Sequence, residues 1–407
     1  MEKRGNILFV TTISGFLQKF EMQDVKILQD MGWEVHYASN FNNPIYECDR
    51  AFLKENGIIC HDITVQKSPL ALVDNFKAFL KVLRIVKEEE IRAVHCHNPV
   101  GGLIGRLAGK FGKEKPYVIY TAHGFHFYEN APKANWLMYY PVEKLMARYT
   151  NQLVTINRED ENLAKKFRLR KHGEVVRIPG VGLDTKRFVP SHDERIEMRK
   201  KLGLSDDTFV VLSVGELNEN KNHATVIKAI AQMDVTDLKY IICGEGPGRE
   251  ELENLIQELG LQGQVMLCGY KHKIERYMQA ADCFVFPSIR EGLGMAALEA
   301  MACGLPLIAG DNRGTREYAR ENAIVCESTD VSAYRDALQH LYEDANVRKA
   351  LGASSIAVAK EFRKENTKQI MKQVYLTMTR EVGVGQLVSI SGDKTSDKKK
   401  TVGMEVS

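Results

Sequence analysis

The segment PSIREGLGMAALEAMACGLPLIAG, residues 287–310, decides the fold assignment. An apolar, strand-like run is followed by a short loop with Glu291, and Gly292 and Gly294 then open an apolar helical stretch that carries Glu299. The residues GLPLIAG predict a further buried strand. Because ligands in open α/β sheets lie beyond the carboxyl ends of the strands, this order indicates a ligand site.

The residue types in this segment suit a nucleotide ligand. Glycines allow the backbone to approach a ligand closely, and the free amides and dipole of a helix N-terminus favour a diphosphate. Glu299 follows Gly292 by two helical turns, roughly 10 Å along the axis, and its carboxylate can accept hydrogen bonds from both ribose hydroxyls. Two glutamates at this spacing are by themselves more often exposed helix charges. The glycine pair and the flanking strands favour the functional interpretation.

Strand-like and helix-like stretches alternate along the whole chain, which predicts parallel sheets covered by helices on both faces. The alternation breaks at residues 177–190, RIPGVGLDTKRFVP, where we place a domain junction. We therefore predict an α/β protein with two doubly wound, Rossmann-like domains facing a cleft. The predicted parts are residues 1–185, residues 186–364, a C-terminal helix at 365–382 that packs back on the first domain, and a disordered tail at 383–407.

Composition restricts the class of protein. The formal net charge of +3 over 407 residues gives no strong nucleic-acid footprint. The 8 cysteines include no CxxC pair, which fits free thiols in a reducing cytosol better than disulfides or zinc. The N-terminal apolar stretch is short for a signal peptide, and no run of about 18 apolar residues occurs. We expect a cytoplasmic protein.

The segment 287–310 resembles the glutamate–seven–glutamate signature of family 4 retaining glycosyltransferases of the GT-B fold. The resemblance covers roughly residues 5–378 and includes IPGVGLDTKRF, VLSVGELNENKN, CGEGPGREEL and LCGY. It implies transfer of a hexose or N-acetylhexosamine from a nucleotide sugar, with retention and without a metal, and we expect a UDP sugar as the donor. TAHGFHFYEN is most similar to bacterial exopolysaccharide and capsule enzymes, which act on polyprenyl-diphosphate-linked saccharides at the cytoplasmic face.

By this resemblance the donor sugar and its nucleotide contact one loop and one helix. Glu299 would hold the ribose, and Glu291 would contact a hydroxyl of the donor sugar close to the reacting centre. The amides of Gly292, Leu293 and Gly294 would hold the diphosphate and the sugar.

The diphosphate site departs from the family pattern. The family has an arginine five residues before a lysine, and this chain keeps Lys221 but has Glu216 at the arginine position. A carboxylate repels a diphosphate, so Glu216 is not expected to be a ligand. Arg313 is one candidate for the missing charge, although a surface arginine is an equal alternative. Neutral donors are the other candidates: Asn218, Asn220 and Asn222.

Three further positions resemble donor contacts. Gly15 lies in the loop after the first strand, where a glycine allows close approach to the sugar or phosphate. Gly244 lies in a strand-end glycine loop near the nucleotide, and Tyr270 lies in the turn that contacts the base. A plain turn remains an alternative for Gly244 and Tyr270, because isolated patterns of this kind are common.

The acceptor side is predicted from residues at the ends of strands in the first half. His123 resembles the family histidine that points at the donor sugar and phosphate, and we expect it to act in catalysis. His97, His126, Tyr128 and Arg158 are candidates for the acceptor side, with Arg158 suited to an acceptor phosphate.

Metal binding is not expected. His95 and His97 share a face of one strand, but no third ligand accompanies them locally. The chain has no Asp-x-Asp motif. We therefore expect no metal and no other cofactor, with the nucleotide sugar as donor substrate.

The segment ANWLMYYPVEKLMARYT, residues 134–150, has an apolar and aromatic side opposite basic residues. It is either a core helix or a shallow membrane-docking element facing a lipid-linked acceptor. Residues 1–185 hold 26 Lys+Arg and 21 Asp+Glu, a mildly basic balance that fits peripheral contact with the inner face of the cell membrane.

Two alternatives keep the fold and change the function. A UDP-sugar 2-epimerase also has two Rossmann-like domains, but the seven-spaced glutamates and the acceptor-side loops disfavour it. A non-catalytic partner that binds sugar nucleotides is suggested by Glu216 alone.

Overall fold

The first domain is built on a seven-stranded sheet in a computed structural model that describes residues 4–42 and 47–393. All strand pairs are parallel, in the order β3-β2-β1-β4-β5-β6-β7. The central strands are almost wholly buried, as a sheet covered on both faces requires. The strands are β1 (Gly5–Val10), β2 (Trp33–Ser39), β3 (Ile58–Asp62), β4 (Ile91–His97), β5 (Tyr117–Ala122), β6 (Gln152–Thr155) and β7 (Glu174–Arg177).

Helices cover both faces of this sheet, and side-chain caps fix the start of some of them. Asp49 accepts hydrogen bonds from the amides of Ala51 and Phe52, and Asn157 accepts one from Asp160. A π-helix, Leu17–Glu21, leads into the first α-helix. The helices are α1 (Met22–Asp30), α2 (Arg50–Glu55), α3 (Leu72–Glu88), α4 (Pro99–Phe111), α5 (Lys133–Ala147) and α6 (Arg158–Ala164).

The second domain repeats the arrangement with a six-stranded parallel sheet in the order β10-β9-β8-β11-β12-β13. Its strands are β8 (Phe209–Val214), β9 (Leu238–Cys243), β10 (Val265–Gly269), β11 (Cys283–Phe286), β12 (Leu307–Gly310) and β13 (Ala323–Cys326). Its helices are α7 (His192–Lys201), α8 (His223–Ile230), α9 (Arg249–Glu258), α10 (Ile274–Ala280), α11 (Met295–Ala302), α12 (Val331–Glu343) and α13 (Ala345–Ala359). Three 3-10 turns complete the domain: Glu219–Lys221, Thr315–Glu317 and Lys360–Phe362.

The predicted fold class is confirmed, since each sheet is open, parallel and doubly wound. Two short strands, β7 and β13, have no clear signal in the sequence. Each is a four-residue edge strand, too short for an apolar pattern to stand out.

The C-terminal helix, α14 (Lys364–Asp393), returns to the first domain. The Tyr375 hydroxyl donates to Asp24 (2.7 Å), and the Trp33 indole donates to Thr379 (3.1 Å). This helix begins one residue before the predicted position 365. The chain is extended at Arg363, because Leu183 of the interdomain segment binds the backbone on both sides of it.

The predicted disordered tail is corrected at its start. The backbone of residues 383–393 is helical and continues α14 without a proline to end it. The rest of the predicted tail, residues 394–407, lies outside the described residues. Within the described part of the chain, no helix combines the length and the apolar character that crossing a membrane requires.

Candidate active site

The loop between β11 and α11 lies directly against the first domain. A Cβ atom at Gly292 would lie 2.4 Å from the carbonyl oxygen of His123, and one at Gly124 would lie 3.2 Å from the Gly292 Cα. Gly294 has φ +88° and faces the Phe286 ring, where a Cβ would lie 2.6 Å away. Glycine at these positions therefore allows the donor-side loop to touch the acceptor-side loop.

Glu291 and Lys221, both predicted donor contacts, form an ion pair in the cleft. Lys221 Nζ contacts Glu291 Oε1, and both side chains are largely buried. Lys221 comes from the 3-10 turn after β8, and its ammonium also lies 5.1 Å from the centroid of the Phe286 ring. The structure thus brings together two groups that the sequence places 70 residues apart.

Glu299 lies in the middle of α11 and is half-buried. Burial raises the pKa of its carboxyl to about 7, and the positive charges of Arg187 and Lys19 oppose this rise. Lys19 belongs to the π-helix of the first domain, so both domains contribute charge around Glu299. A carboxyl that titrates near neutral pH at a predicted nucleotide site is a candidate functional group.

The guanidinium of Arg313 is not available to bind a diphosphate. The prediction that Arg313 replaces the arginine missing at position 216 is therefore wrong. The Arg313 guanidinium is buried and donates to Asp160 Oδ1 (2.7 Å), to the carbonyl of Phe125 (2.6 Å) and to the carbonyl of Glu291 (3.2 Å). Arg313 therefore joins the second domain to the first. Among the asparagine candidates, Asn220 donates to the carbonyl of Arg290 (3.0 Å) and Asn222 to that of Ser328 (2.5 Å), so the asparagine option stays open for Asn218.

Asp160 completes this connection from the first domain. Its Oδ2 accepts from the Phe125 amide (3.1 Å) and from Asn157 Nδ2 (2.9 Å). Asn157 Nδ2 also donates to the carbonyl of Gly292 (2.9 Å). Burial raises the pKa of Asp160 to about 6, and the adjacent Arg313 opposes the rise. Asp160 could not be predicted from the sequence, because nothing in NREDEN distinguishes a buried carboxylate from exposed ones.

His123 and His97 meet at the ends of β5 and β4. His97 Nδ1 lies 3.1 Å from His123 Nε2 and 3.6 Å from Glu21 Oε1. His97 is fully buried, so a direct contact with an acceptor, as the sequence suggested, is wrong. It instead supports His123, whose imidazole is hydrogen-bonded to it.

Burial shifts the pKa values of the three side chains in this cluster, Glu21, His97 and His123, towards their neutral forms. It lowers the pKa of His123 to about 4 and that of His97 well below its usual range. It also raises the pKa of Glu21 well above the usual value, helped by the neighbouring Asp24. Both imidazoles are therefore neutral at neutral pH, and His123 can donate or accept a hydrogen bond without carrying charge.

The fold also supplies the third possible metal ligand that the local sequence lacks. One ligand atom each from Glu21, His97 and His123 lies within 4.8 Å of the other two. His95, by contrast, is a core residue that bonds Thr121 (2.8 Å) and Tyr375 (3.0 Å).

A cavity of about 220 Å³ opens behind His123. Its walls include His126, Tyr139 and Glu143, and the His126 ring stacks on Tyr139 at 4.6 Å. His126 is therefore placed to contact a ligand beside His123. Tyr128, the other acceptor candidate in this loop, packs against Arg313: the centroid of its ring lies 4.7 Å from the guanidinium carbon.

Arg158 is separated from that cavity. It is largely exposed and lines another pocket together with Arg177, Arg320 and Glu361. The two pockets share no lining residue. The structure therefore does not place Arg158 in the cavity beside His123.

The remaining donor candidates lie at strand ends. Gly244 is required by packing, because a Cβ there would lie 1.7 Å from the carbonyl oxygen of Gly215. Its amide donates to the carbonyl of Gly269 (3.0 Å), which places it beside Tyr270. Tyr270 is 62% exposed and so available to a ligand. Gly15 is buried in the turn between β1 and the π-helix.

Comparison with known proteins identifies the family. Residues 6–157 match the family model described as Glycosyl transferase 4-like, and residues 194–357 match Glycosyl transferases group 1. The putative glycosyltransferase EpsD of Bacillus subtilis (strain 168) is 36% identical over 375 residues, which cover 91% of this chain and 96% of that protein. The chain belongs to family 4 of the GT-B glycosyltransferases. It is a hexosyltransferase-type enzyme related to exopolysaccharide and capsule enzymes.

A second relative and a solved structure agree with this. The UDP-Gal:alpha-D-GlcNAc-diphosphoundecaprenol alpha-1,3-galactosyltransferase of Escherichia coli is 27% identical over 353 residues, covering 84% of this chain and 88% of that protein. The crystal structure of Anabaena HepE with UDP superimposes with a TM-score of 0.74 at 18% identity, covering 92% of this chain and 100% of that one. The glycosyltransferase therefore shares the GT-B fold with HepE.

Proposed function

We propose that this glycosyltransferase transfers a hexose or N-acetylhexosamine from a UDP sugar to a polyprenyl-diphosphate-linked or saccharide acceptor, with retention of configuration and without a metal. The contact between the donor loop and the His123 loop carries this proposal. It brings Lys221, Glu291 and the amides of residues 292–294 to the same part of the cleft as His123 and its cavity. The relatives support it, since the Escherichia coli enzyme is named for UDP-Gal and a diphosphoundecaprenol acceptor.

The donor would lie with its nucleotide on the second domain. Glu299 in its ionised form accepts hydrogen bonds from the ribose, and Tyr270 lies where the base would end. The diphosphate meets the free amides before α11 together with Lys221, which the approach of two negative phosphates draws away from Glu291. Glu291 is then released to accept a hydrogen bond from the donor sugar.

The transfer step needs no enzyme nucleophile. The acceptor oxygen forms its bond to the anomeric carbon on the face that the diphosphate leaves, and the proton of the acceptor hydroxyl passes to a departing phosphate oxygen. The C–O bond to the diphosphate breaks as this proton moves. Neutral His123 donates a hydrogen bond to the developing charge, while Lys221 and the amides stabilise the leaving group.

Peripheral membrane contact is part of the proposal, because the first domain exposes two apolar helix faces. On α3 the exposed residues lie at helical spacing: Leu72, Val73, Phe76 and Leu80. On α5 they do so again: Leu137, Met138, Val142 and Leu145. The buried faces of both helices belong to one core cluster, so both cover the same side of the first sheet. Apolar faces of this kind, interspersed with basic residues, suit an anionic bilayer.

One assay tests the transfer. The enzyme is incubated with UDP-glucose, UDP-galactose, UDP-GlcNAc or UDP-GalNAc and a synthetic polyprenyl-diphosphate-linked GlcNAc, and products are identified by mass spectrometry. We expect UDP and a lipid-linked disaccharide from at least one donor, with an α linkage by NMR. Glu299→Ala is the negative control. An epimeric UDP sugar in place of the disaccharide, or binding of UDP without turnover of any donor, would overturn the proposal.

A further inference from the structure

Two cysteines lie side by side at the strand ends that carry Gly244 and Tyr270. Ile242 is paired with Leu267, and Cys243 is paired with Gly269, with a register shift between these pairs. Cys268 is thus the unpaired residue of a β-bulge in β10, and it lies opposite Cys243 on β9. Because side chains alternate along each strand, Cys243 and Cys268 both follow a paired residue and point to the same face of the sheet.

The contacts of the two thiols agree with this placement. Cys243 is buried in the core cluster against which Cys268 packs, so the two side chains lie on the same side of the sheet. Neighbouring strands lie about 4.8 Å apart. That spacing falls within the Cα separations of about 4.4–6.8 Å that a disulfide spans.

Cys268 differs from the other cysteines in the direction of its pKa shift. The neighbouring Cys243 thiol and, to a smaller degree, the positive charges of Lys271 and Arg249 lower the pKa of Cys268 to about 7, against the effect of burial. The pKa is raised at the remaining seven cysteines, all within the described residues: Cys48, Cys60, Cys96, Cys243, Cys283, Cys303 and Cys326. Cys268 is also half-buried rather than sealed in the core. A partly exposed thiolate next to a second thiol is the arrangement of peroxide-sensitive cysteine pairs.

We propose that Cys268 and Cys243 form a site of reversible oxidation by peroxides. The Cys268 thiolate attacks one peroxide oxygen and the O–O bond breaks, which gives a sulfenic acid and, after protonation, water. The Cys243 sulfur then attacks the Cys268 sulfur, loses its proton and expels the hydroxyl as a second water. Two thiols are oxidised to one disulfide while hydrogen peroxide is reduced to two waters.

This modification would act on donor binding, an effect that rests on the proposed role of these strand ends. Gly269 follows Cys268, has φ +74° and accepts the hydrogen bond from the Gly244 amide. A disulfide draws the two strand ends together and shifts this bridge. Tyr270, next in the chain, moves with it. We expect oxidation to weaken UDP binding severalfold.

The experiment treats the intact enzyme with hydrogen peroxide, alkylates the free thiols and maps disulfides by peptide mass spectrometry. UDP affinity is measured by calorimetry before oxidation, after it, and after reduction with dithiothreitol. We expect a Cys243–Cys268 disulfide, weaker UDP binding and recovery on reduction. Cys60→Ser is the matched control, since Cys60 is also half-buried but its pKa is raised; it should oxidise like the wild type.

Variants of Cys243 and Cys268 test the two steps of the oxidation separately. Cys243→Ala should stop the reaction at a sulfenic acid on Cys268 that a dimedone probe labels, and Cys268→Ser should block oxidation at both positions. Absence of the Cys243–Cys268 disulfide in the wild type, with or without dimedone labelling, would overturn the proposal. The disulfide is detected without substrate, so a failure of sugar transfer would count against the proposed function alone.

Discussion

Arg313 Nη1 lies 2.7 Å from Asp160 Oδ1, and this buried ion pair joins the two domains at the point where their loops meet. The same guanidinium donates to the carbonyls of Phe125 and Glu291, one in each domain. The cation that was a candidate for the donor phosphates is therefore used to hold the donor loop against the acceptor loop.

Removing Arg313 is expected to destabilise the enzyme strongly. Arg313→Ala leaves the Asp160 carboxylate buried without its partner, which typically costs about 3–5 kcal/mol. Urea denaturation followed by fluorescence measures the change. Arg316→Ala is the matched control, because Arg316 forms a half-exposed pair with Asp311 that contributes at most about 1 kcal/mol. Equal losses for the two variants would show that the interdomain pair has no special role.

Lys221 and Glu291 are expected to affect donor binding rather than folding. Lys221→Ala removes a cation from the diphosphate site, and the loss of one charged hydrogen bond corresponds to about a 10- to 100-fold rise in KM for the donor. Steady-state kinetics with the best UDP sugar measures it. Lys228→Ala, on the exposed side of α8, should leave KM unchanged. A KM unchanged in Lys221→Ala as well would remove Lys221 from the donor site.

The pKa of Glu299 predicts a pH dependence of donor affinity. Burial raises this pKa to about 7, and the ionised form is the one that accepts hydrogen bonds from the ribose. UDP affinity should therefore rise as the pH increases through 7, whereas Glu299→Gln should bind weakly and without this dependence. Calorimetry at several pH values measures both. An equally steep dependence in Glu299→Gln would assign it to another group.

The raised pKa of Glu299 also predicts how the unfolding free energy of the enzyme changes with pH. Between pH 4.5, the ordinary pKa of a glutamate carboxyl, and about pH 7, the folded protein holds a proton on Glu299 that the unfolded chain has lost. Its contribution to stability is therefore present at low pH and decreases as the pH rises through that window. Glu299→Gln should flatten this part of the curve of unfolding free energy against pH.

The donor loop could be predicted from sequence because its signal is local. Residues 287–310 place Glu291, two glycines and Glu299 within one strand–loop–helix unit, so their relative positions follow from the secondary structure. The sequence related the glycines to close approach of a ligand, but it did not show that distant parts of the backbone also require them. Gly292 and Gly244 are required by the backbones of His123 and Gly215, which are distant in the chain.

The connections between the domains could not be predicted. Asp160 and Arg313 lie 153 residues apart, and no periodic pattern relates them. Glu21 likewise meets His97 only because the π-helix after β1 packs beside the end of β4. Membership of such clusters depends on tertiary packing, and the residue types alone do not reveal it.

Chelation tests whether a metal takes part. Since amides and Lys221 are available to the leaving diphosphate, we expect transfer to be unchanged after dialysis against EDTA. The assay is the release of UDP before and after dialysis. Loss of activity that Mg²⁺ restores would indicate a metal on the diphosphate. Loss that Zn²⁺ alone restores would indicate a metal held by Glu21, His97 and His123, whose ligand atoms are close enough together.

Charged substitutions on the exposed helix faces test the membrane contact. Leu137 is 82% exposed on α5 and Leu72 is 73% exposed on α3, so replacing both with glutamate should leave folding intact. We expect the double variant to lose co-sedimentation with anionic phospholipid vesicles and to lose activity on a lipid-linked acceptor, but to keep activity on a water-soluble analogue. Leu259→Glu, in the second domain, is the control. Vesicle binding by the double variant equal to that of the wild type would place any membrane contact elsewhere.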